Sequence, residues 1–504
     1  MTVSRSRRAR LCAAGIVVFA LAAAPACGES GPPPLATGTS TTTTSTTRTS
    51  QAPAVADVTP TGDFSPVTRL VDDAVTARRL PGAVVQVGHA GKIVFRKAFG
   101  SRKLDGEPGL DGAPAPAEPM TEDTIFDIAS LTKSLATTTA IMQLSEQGRV
   151  RIDEPVQTYF PEFNPAVDPR RAQVTLRTLL THTSGIAGEL SMDGAWGLVE
   201  GDKAEGVRRA LAAVVVYEPG EGFHYSDINF IILGALLEKI TGESEDVYVQ
   251  DNVFRPMGMS DTHYLPAGKA CGPHQIRGAA IAYDPRGPAP GDCEADTWNT
   301  DLLQRTAPTA IDEDTPGINP DFGHPLRGTV HDPTARRMGG VAGSAGVFTT
   351  VHDVGLFAQA LLDRLANRPS TFPLTQASVE TMTTPQQPGR YSGQVEAANE
   401  ASESASNTTD PLLAANYPAI PGQDLRGFGW DIDTPHSRPR GALFPVGSFG
   451  HTGFTGVTLW MDPGSNTYVV VLANVIHQRG GPPIATLSGH VATETARALH
   501  LYSS

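Results

Sequence analysis

The chain is predicted to fold as an α+β protein, with a central antiparallel sheet flanked by helices and a mainly helical lobe inserted within it. Three observations lead there. β-Rich runs open the body in GAVVQVGHAGKIVFRKAFG (82–100), and others close it in FGHTGFTGVTLWMDP (449–463) and NTYVVVLANVI (466–476). Between about 150 and 365 the patterns are mainly helical, broken by long Gly/Pro loops. Strands at both ends with helices between them imply one sheet built from both termini, and the cleft between sheet and lobe is where chemistry is expected.

The first elements follow from local patterns. In FSPVTRLVDDAVTARRLPG (64–82), Ser65 is read as a helix cap and Pro66 as the first helical residue, with Val67, Leu70, Val71, Ala74 and Val75 on one stripe. HAGK joins the next two runs into a hairpin. PPIATLSGHVATETARALHL (482–501) reads as a closing helix. The polar stretch 393–423 reads as a surface loop of disordered composition, and no repeat of fixed period is seen.

Ahead of this body the composition changes. MTVSRSRRARL is basic, and CAAGIVVFALAAAPA is apolar but too short for a membrane span of about 20 residues, which together read as an export signal over 1–26. The segment resembles a bacterial lipoprotein signal, with Ala24 where such signals usually carry Leu; that resemblance makes Cys27 the lipidated first residue of the mature chain. Its basic start also resembles a twin-arginine signal, and an ordinary basic n-region is the plainer alternative. Residues 27–62, rich in Pro, Thr, Ser and Gly, read as a disordered tether, leaving 63–504 as the folded domain. An exported protein on the cell envelope, anchored to the membrane through Cys27, is the expectation.

The chain holds four cysteines, and with Cys12 in the signal and Cys27 as anchor, Cys271 and Cys293 are left to pair in an oxidising compartment. A net charge of −14 offers no basic face for phosphates, so nucleic acid is set aside as a partner. A monomer acting on a small-molecule or peptide substrate is expected.

The chemistry centres on DIASLTKSLATTTAIMQLSEQG (127–148), where Lys133 is the one charged side chain between Asp127 and Glu146. On a helix starting near Ser130, a lysine three residues on shares its face and reaches its hydroxyl. A serine is a weak nucleophile without a base, and an ammonium cannot be that base. Lys133 is therefore expected to lose its charge through burial, a shift of about three pH units or roughly 4 kcal/mol. Alone, S-x-x-K is a weak signal, and an exposed serine beside a snorkelling lysine would explain it.

Its setting changes that. The motif lies in FDIASLTKSLATT, and GRVRIDEPVQTYFPEF, VTLRTLLTHTSGI, PGEGFHYSDINFIILGALLEKITG, VFRPMGMSDTHYL, GGVAGSAGVFTTVHDVGLFAQALL, RGFGWDID and FGHTGFTGVTLWMDP follow in order. Over nearly all of 65–500 the chain resembles the serine β-lactamase and penicillin-binding-protein superfamily, in its class C β-lactamase, DD-peptidase and esterase branch. The resemblance implies a β-lactamase/DD-peptidase-like fold, Ser130 as acylated nucleophile, Lys133 as its base, and Tyr225 as proton shuttle to the leaving group. A tyrosine with a pKa near 10 would need a cationic neighbour to act as a base, and Lys133 is the expected one. The family's K-T-G element stands here as His451-Thr452-Gly453. Gly453 is expected to let substrate backbone lie against the strand, and the N–H groups of Phe454 and Ser130 to form the oxyanion hole.

Two positions depart from the family. His451 replaces Lys and, near its ordinary pKa of about 6.5, would be partly charged; Asp227 replaces the usual Asn and adds a negative charge. Both changes weaken the case for β-lactam hydrolysis and penalise a neutral substrate less than an acidic one. No H-E-x-x-H or G-x-S-x-G occurs, so zinc hydrolases and α/β-hydrolases are disfavoured and no cofactor is expected. His182 and His331 read as structural loop residues. The expected function is a serine hydrolase acting through a covalent acyl-enzyme on a D-amino-acid cell-wall peptide, a small ester or a β-lactam; a weakly active or non-catalytic peptidoglycan-binding lipoprotein is the alternative.

Overall fold

The computed structural model of the protein describes residues 58–59, 61–288, 293–294, 296–477 and 484–502. The signal, Cys27 and most of the tether lie outside the described residues. The end of the tether does not: the Thr59 N–H donates to the Ile93 carbonyl at 2.8 Å, and Gly62 packs against the Ala498 carbonyl.

Helix α1 (Ser65–Thr76) buries Val67, Val71 and Ala74, with Leu70 and Val75 at the edge of the same stripe. Its start differs from expectation. Phe64 holds the cap position, Ser65 and Pro66 are the first two helical residues, and Asp63 Oδ1 accepts the Ser65 N–H at 2.9 Å. The acid thus satisfies a donor that the first turn leaves free.

Strands β1 (Gly82–His89) and β2 (Lys92–Lys103) form the hairpin, turning at Ala90 (φ 51°) and Gly91 (φ 80°). Two successive positive φ values match the right-handed twist of paired strands. With β3 (Glu118–Pro119), β4 (Leu425–Arg426), β5 (Asp431–Asp433), β6 (Phe449–Gly453), β7 (Val457–Asp462) and β8 (Thr467–Ala473), they build one eight-stranded sheet in the order β4-β5-β6-β7-β8-β1-β2-β3. Every pairing in it is antiparallel, and Val85 of β1 stands opposite Val471 of β8. The chain's two ends therefore meet in the middle of the sheet.

Alternation along β1 divides the core in two. Ala83, Val85 and Val87 face a layer with α1 and the last helix, whose Val491, Ala492 and Ala496 are buried there. Val84 joins the larger core on the other face. On that face lies the helix Val351–Leu365, and a Cβ at its Gly355 would lie 2.0 Å from Gln86 Nε2, so the glycine sets how closely helix and sheet approach. Each fully buried aliphatic side chain in these layers contributes about 1.5–3 kcal/mol.

The stretch 393–423 is not a plain loop. It contains the helix Gln394–Ser404, which buries Ala398. Asn399 fastens it by donating to the Val446 carbonyl and accepting the Val446 N–H, both at 2.8 Å. Composition could not show this, because the partner lies 47 residues away. Cys271 and Cys293 are joined, their Cα atoms 5.9 Å apart.

Candidate active site

The site begins at the turn Asp127–Ser130. Ala129 sits at φ 44°, unusual for a residue with a Cβ, and Asp127 holds it there. One carboxylate oxygen accepts the Ala129 N–H at 2.8 Å and the other the His331 N–H at 2.7 Å, while the Thr455 hydroxyl donates to the Asp127 carbonyl at 2.7 Å. Burial pushes the Asp127 carboxyl up to about 6, against the pull of these two N–H groups. Sequence reasoning missed Asp127. Its signal was an acid two residues before the N–H it accepts, the local pattern of an Asx turn.

After Ser130 the chain turns helical, with a π-type stretch over Lys133–Thr138 that continues as an α-helix over Thr139–Glu146. Lys133 is wholly buried. Its Nζ donates to Ser130 Oγ at 2.9 Å and to the Ser344 carbonyl at 2.8 Å, and lies 2.5 Å from Asp227 Oδ1. The expected loss of charge is corrected here. Burial does pull the lysine's pKa down, but the Asp227 carboxylate and Tyr225 outweigh it and hold the ammonium above its ordinary value. In the resting site Lys133 is half of an ion pair.

Tyr225 stands over this pair, its ring centroid 5.2 Å from Lys133 Nζ. It is held between the rings of His182, at 4.3 Å, and His436, at 5.2 Å. Burial raises its pKa, Lys133 lowers it less, and Asp227 adds to the rise, so the hydroxyl stays protonated rather than becoming a base. His182 accepts the Ser226 N–H on Nδ1 at 3.1 Å and is kept neutral by burial and by Arg426. It is structural, as expected, and the structure it supports is the position of Tyr225.

Strand β6 brings His451, Thr452 and Gly453 alongside. His451 Nδ1 lies 2.7 Å from the Thr452 carbonyl, which can only accept, so Nδ1 carries the proton and Nε2 presents its lone pair. Burial, opposed by Asp431 and reinforced by Arg426, drives the imidazole down to about 3. His451 is thus neutral at pH 7, not partly charged. Thr452 pairs with Thr458 across the strands.

The reason for Gly453 also differs from expectation. A Cβ there would lie 2.5 Å from the Ile128 carbonyl, so the space of the missing side chain is filled by the turn before Ser130 rather than by substrate backbone. This contact docks β6 against the serine. Among the described residues, the N–H groups of Ser130 and Phe454 have no hydrogen-bond acceptor, which leaves both available to a substrate. The Phe454 ring is 73% exposed and stacks on His331 at 5.8 Å.

Ser130, Tyr225, Asp227, Ser344 and Phe454 border a cavity of about 340 Å³, a volume near the lower end for small-molecule sites. A hydroxyl beside a lysine–carboxylate pair, a phenol and two free N–H groups are parts that acyl transfer can use. Fold and site define a β-lactamase/transpeptidase-like protein. The chain belongs to the beta-lactamase family, whose model matches residues 67–487. It is 28% identical over 403 residues to the "Putative D-alanyl-D-alanine carboxypeptidase" of Escherichia coli (strain K12), covering 78% of each chain. It is 27% identical over 412 residues to the N-acetylmuramyl-L-alanine amidase of Bacillus subtilis (strain 168), covering 80% of this chain and 78% of that one. The class C beta lactamase from Rhodobacter sphaeroides shares the fold, with a TM-score of 0.53 at 20% identity over 86% of this chain and 99% of that one.

Proposed function

We propose that this protein is a serine hydrolase that forms an acyl-enzyme on Ser130 from an amide or ester. The observation that carries the reading is the contact of Lys133 Nζ with both Ser130 Oγ and Asp227 Oδ1. Oγ attacks the acyl carbon as its proton passes to Nζ, and Nζ passes one of its own to Asp227. The tetrahedral oxyanion is held by the N–H groups of Ser130 and Phe454. The bond to the leaving amine or alcohol then breaks, the leaving group taking a proton from the Tyr225 hydroxyl, which regains one from the Lys133–Asp227 pair. Water adds to the acyl carbon, Oγ recovers its proton, and a carboxylic acid departs. His451, as a neutral acceptor, gives a substrate carboxylate no counter-charge.

The names of the two relatives, a carboxypeptidase and an amidase, favour cell-wall peptides as the natural source of the acyl group. Ser130→Ala is expected to lower hydrolysis of a panel of esters, β-lactams and D-alanyl peptides by at least a thousandfold. Intact-mass mapping of the parent with an active ester or benzylpenicillin should place the adduct on Ser130. Undiminished turnover in the variant sinks the reading. We further propose that the protein is exported and tethered through lipidated Cys27; in the full chain, Cys27→Ser should move it from the membrane fraction to the soluble one.

A further inference from the structure

The cavity beside Ser130 has a charge pattern that the reaction does not use. Glu189, Asp227 and Asp332 contribute carboxylates to its lining, and none of its lining residues is Lys or Arg. Lys133, reaching in from beneath, has its charge matched by Asp227. His331, also in the lining, is driven down to about 4 by burial and by Arg336, and is neutral at pH 7. Arg336 itself directs its guanidinium away, to Asp312 at 3.0 Å and to the carbonyls of Val330 and His331. Glu189 and Asp332 are left without a cation in the lining.

A second observation is independent of charge. Ser344 is 1% exposed and lines the same cavity, and its Oγ has no hydrogen-bond partner among the described residues. An unsatisfied buried hydroxyl is unfavourable in the empty site and becomes favourable when a ligand pairs with it. A hydroxyl acceptor and carboxylates in one pocket complement a group that is positive and donates several hydrogen bonds, as a protonated amine does. Leu190, Met192 and Ile231 supply an apolar wall for the rest of the ligand.

We propose that this cavity binds a protonated amine of the substrate, so that the preferred acyl donors are aminoacyl amides or esters whose amino group is free. This rests on the hydrolase reading above. Asp332 and Ser344 are then specificity-determining residues. A substrate presenting a carboxylate here meets like charge and no counter-ion.

The test compares kcat/KM for alanine p-nitroanilide, in D and L forms, with its amino group free, acetylated or succinylated. At pH 7 a free α-amine with a pKa of about 7.7–8.0 is mostly charged. The free amine should be favoured over the acetylated compound by at least tenfold, with the succinylated one slower still. Asp332→Asn keeps an oxygen for the Ala335 N–H that Asp332 now accepts at 2.7 Å, so the short helix it caps is retained. In that variant the preference should fall to about threefold or less, and Ser344→Ala should raise KM for the free amine alone. Equal or faster turnover of the acetylated compound, or a preference unmoved in both variants, overturns the amine subsite. No turnover of all three by a protein whose Ser130 still takes an adduct from benzylpenicillin also overturns it, while sparing the hydrolase; a parent with no Ser130 adduct from any acyl donor sinks the hydrolase reading itself.

Discussion

Asp227 is the residue on which the chemistry turns. It lies where the family's pattern has Asn, and it converts a buried lysine that desolvation alone would neutralise into an ion pair. In the proposed reaction the proton from Ser130 ends on a carboxylate in the parent; in Asp227→Asn it would have to end on the lysine. The acid limb of the kcat/KM profile should therefore move to higher pH in the variant, where the lysine must first lose its own proton. Activity on the alkaline side should stay within about tenfold of the parent, because burial unopposed lowers the lysine's pKa and frees it to act as a base. The measurement is the pH–rate profile of both proteins with one uncharged ester, and superimposable limbs would exclude the relay through Asp227. The serine and lysine were legible as residue types at fixed spacing, and the tyrosine through the family resemblance. Charge states in the site were not, since they depend on groups brought together by the fold: Asp227 lies 94 residues after Lys133, and Asp431 on β5 and Arg426 on β4 act on His451.

At the scale of elements, the site is a junction between β6 and the helix that follows Ser130, closed by the contact of Gly453 with the Ile128 carbonyl. Gly453→Ala places a methyl 2.5 Å from that oxygen and 2.4 Å from Val457 Cγ2, so strand and turn must separate. Displacing the Phe454 N–H from the Ser130 N–H should lower kcat by about a hundredfold, in the range for loss of an oxyanion donor, with KM and melting temperature changing far less. Steady-state kinetics and a thermal melt check this; a variant with parental kcat would show that Phe454 plays no part in the oxyanion hole. Helix α1 and the first hairpin were readable from periodicity and turn chemistry. The helix Gln394–Ser404 was not, because its residues are polar and its fastening is the tertiary pair Asn399–Val446.

Over the whole molecule, burial of ionisable groups ties stability to pH. Glu245 is fully buried, accepts the Thr137 hydroxyl at 2.7 Å, and is pushed up from 4.5 to about 7, chiefly by desolvation. A folded-state pKa above the unfolded one means that the folded protein holds the proton more tightly. The stabilisation is fully present below pH 4.5 and lost as pH rises toward 7, amounting to about 3 kcal/mol. Glu245→Gln should flatten that part of the profile, as read by urea unfolding at pH 5 and 7.5; equal slopes in parent and variant would exclude Glu245 as its source. The sequence by itself determined that both ends of the chain enter one antiparallel sheet around a helical lobe, and that a serine and a lysine share a helix face. Those are consequences of residue periodicity, which is local. The tertiary structure alone decided which groups carry charge in the site, why Gly453 must be a glycine, and that Ser344 and Asp332 line the cavity of Ser130. Charge and close approach depend on what surrounds a side chain, and here those neighbours come from other segments of the chain: Asp227 lies 94 residues from Lys133, and Ile128 lies 325 residues from Gly453.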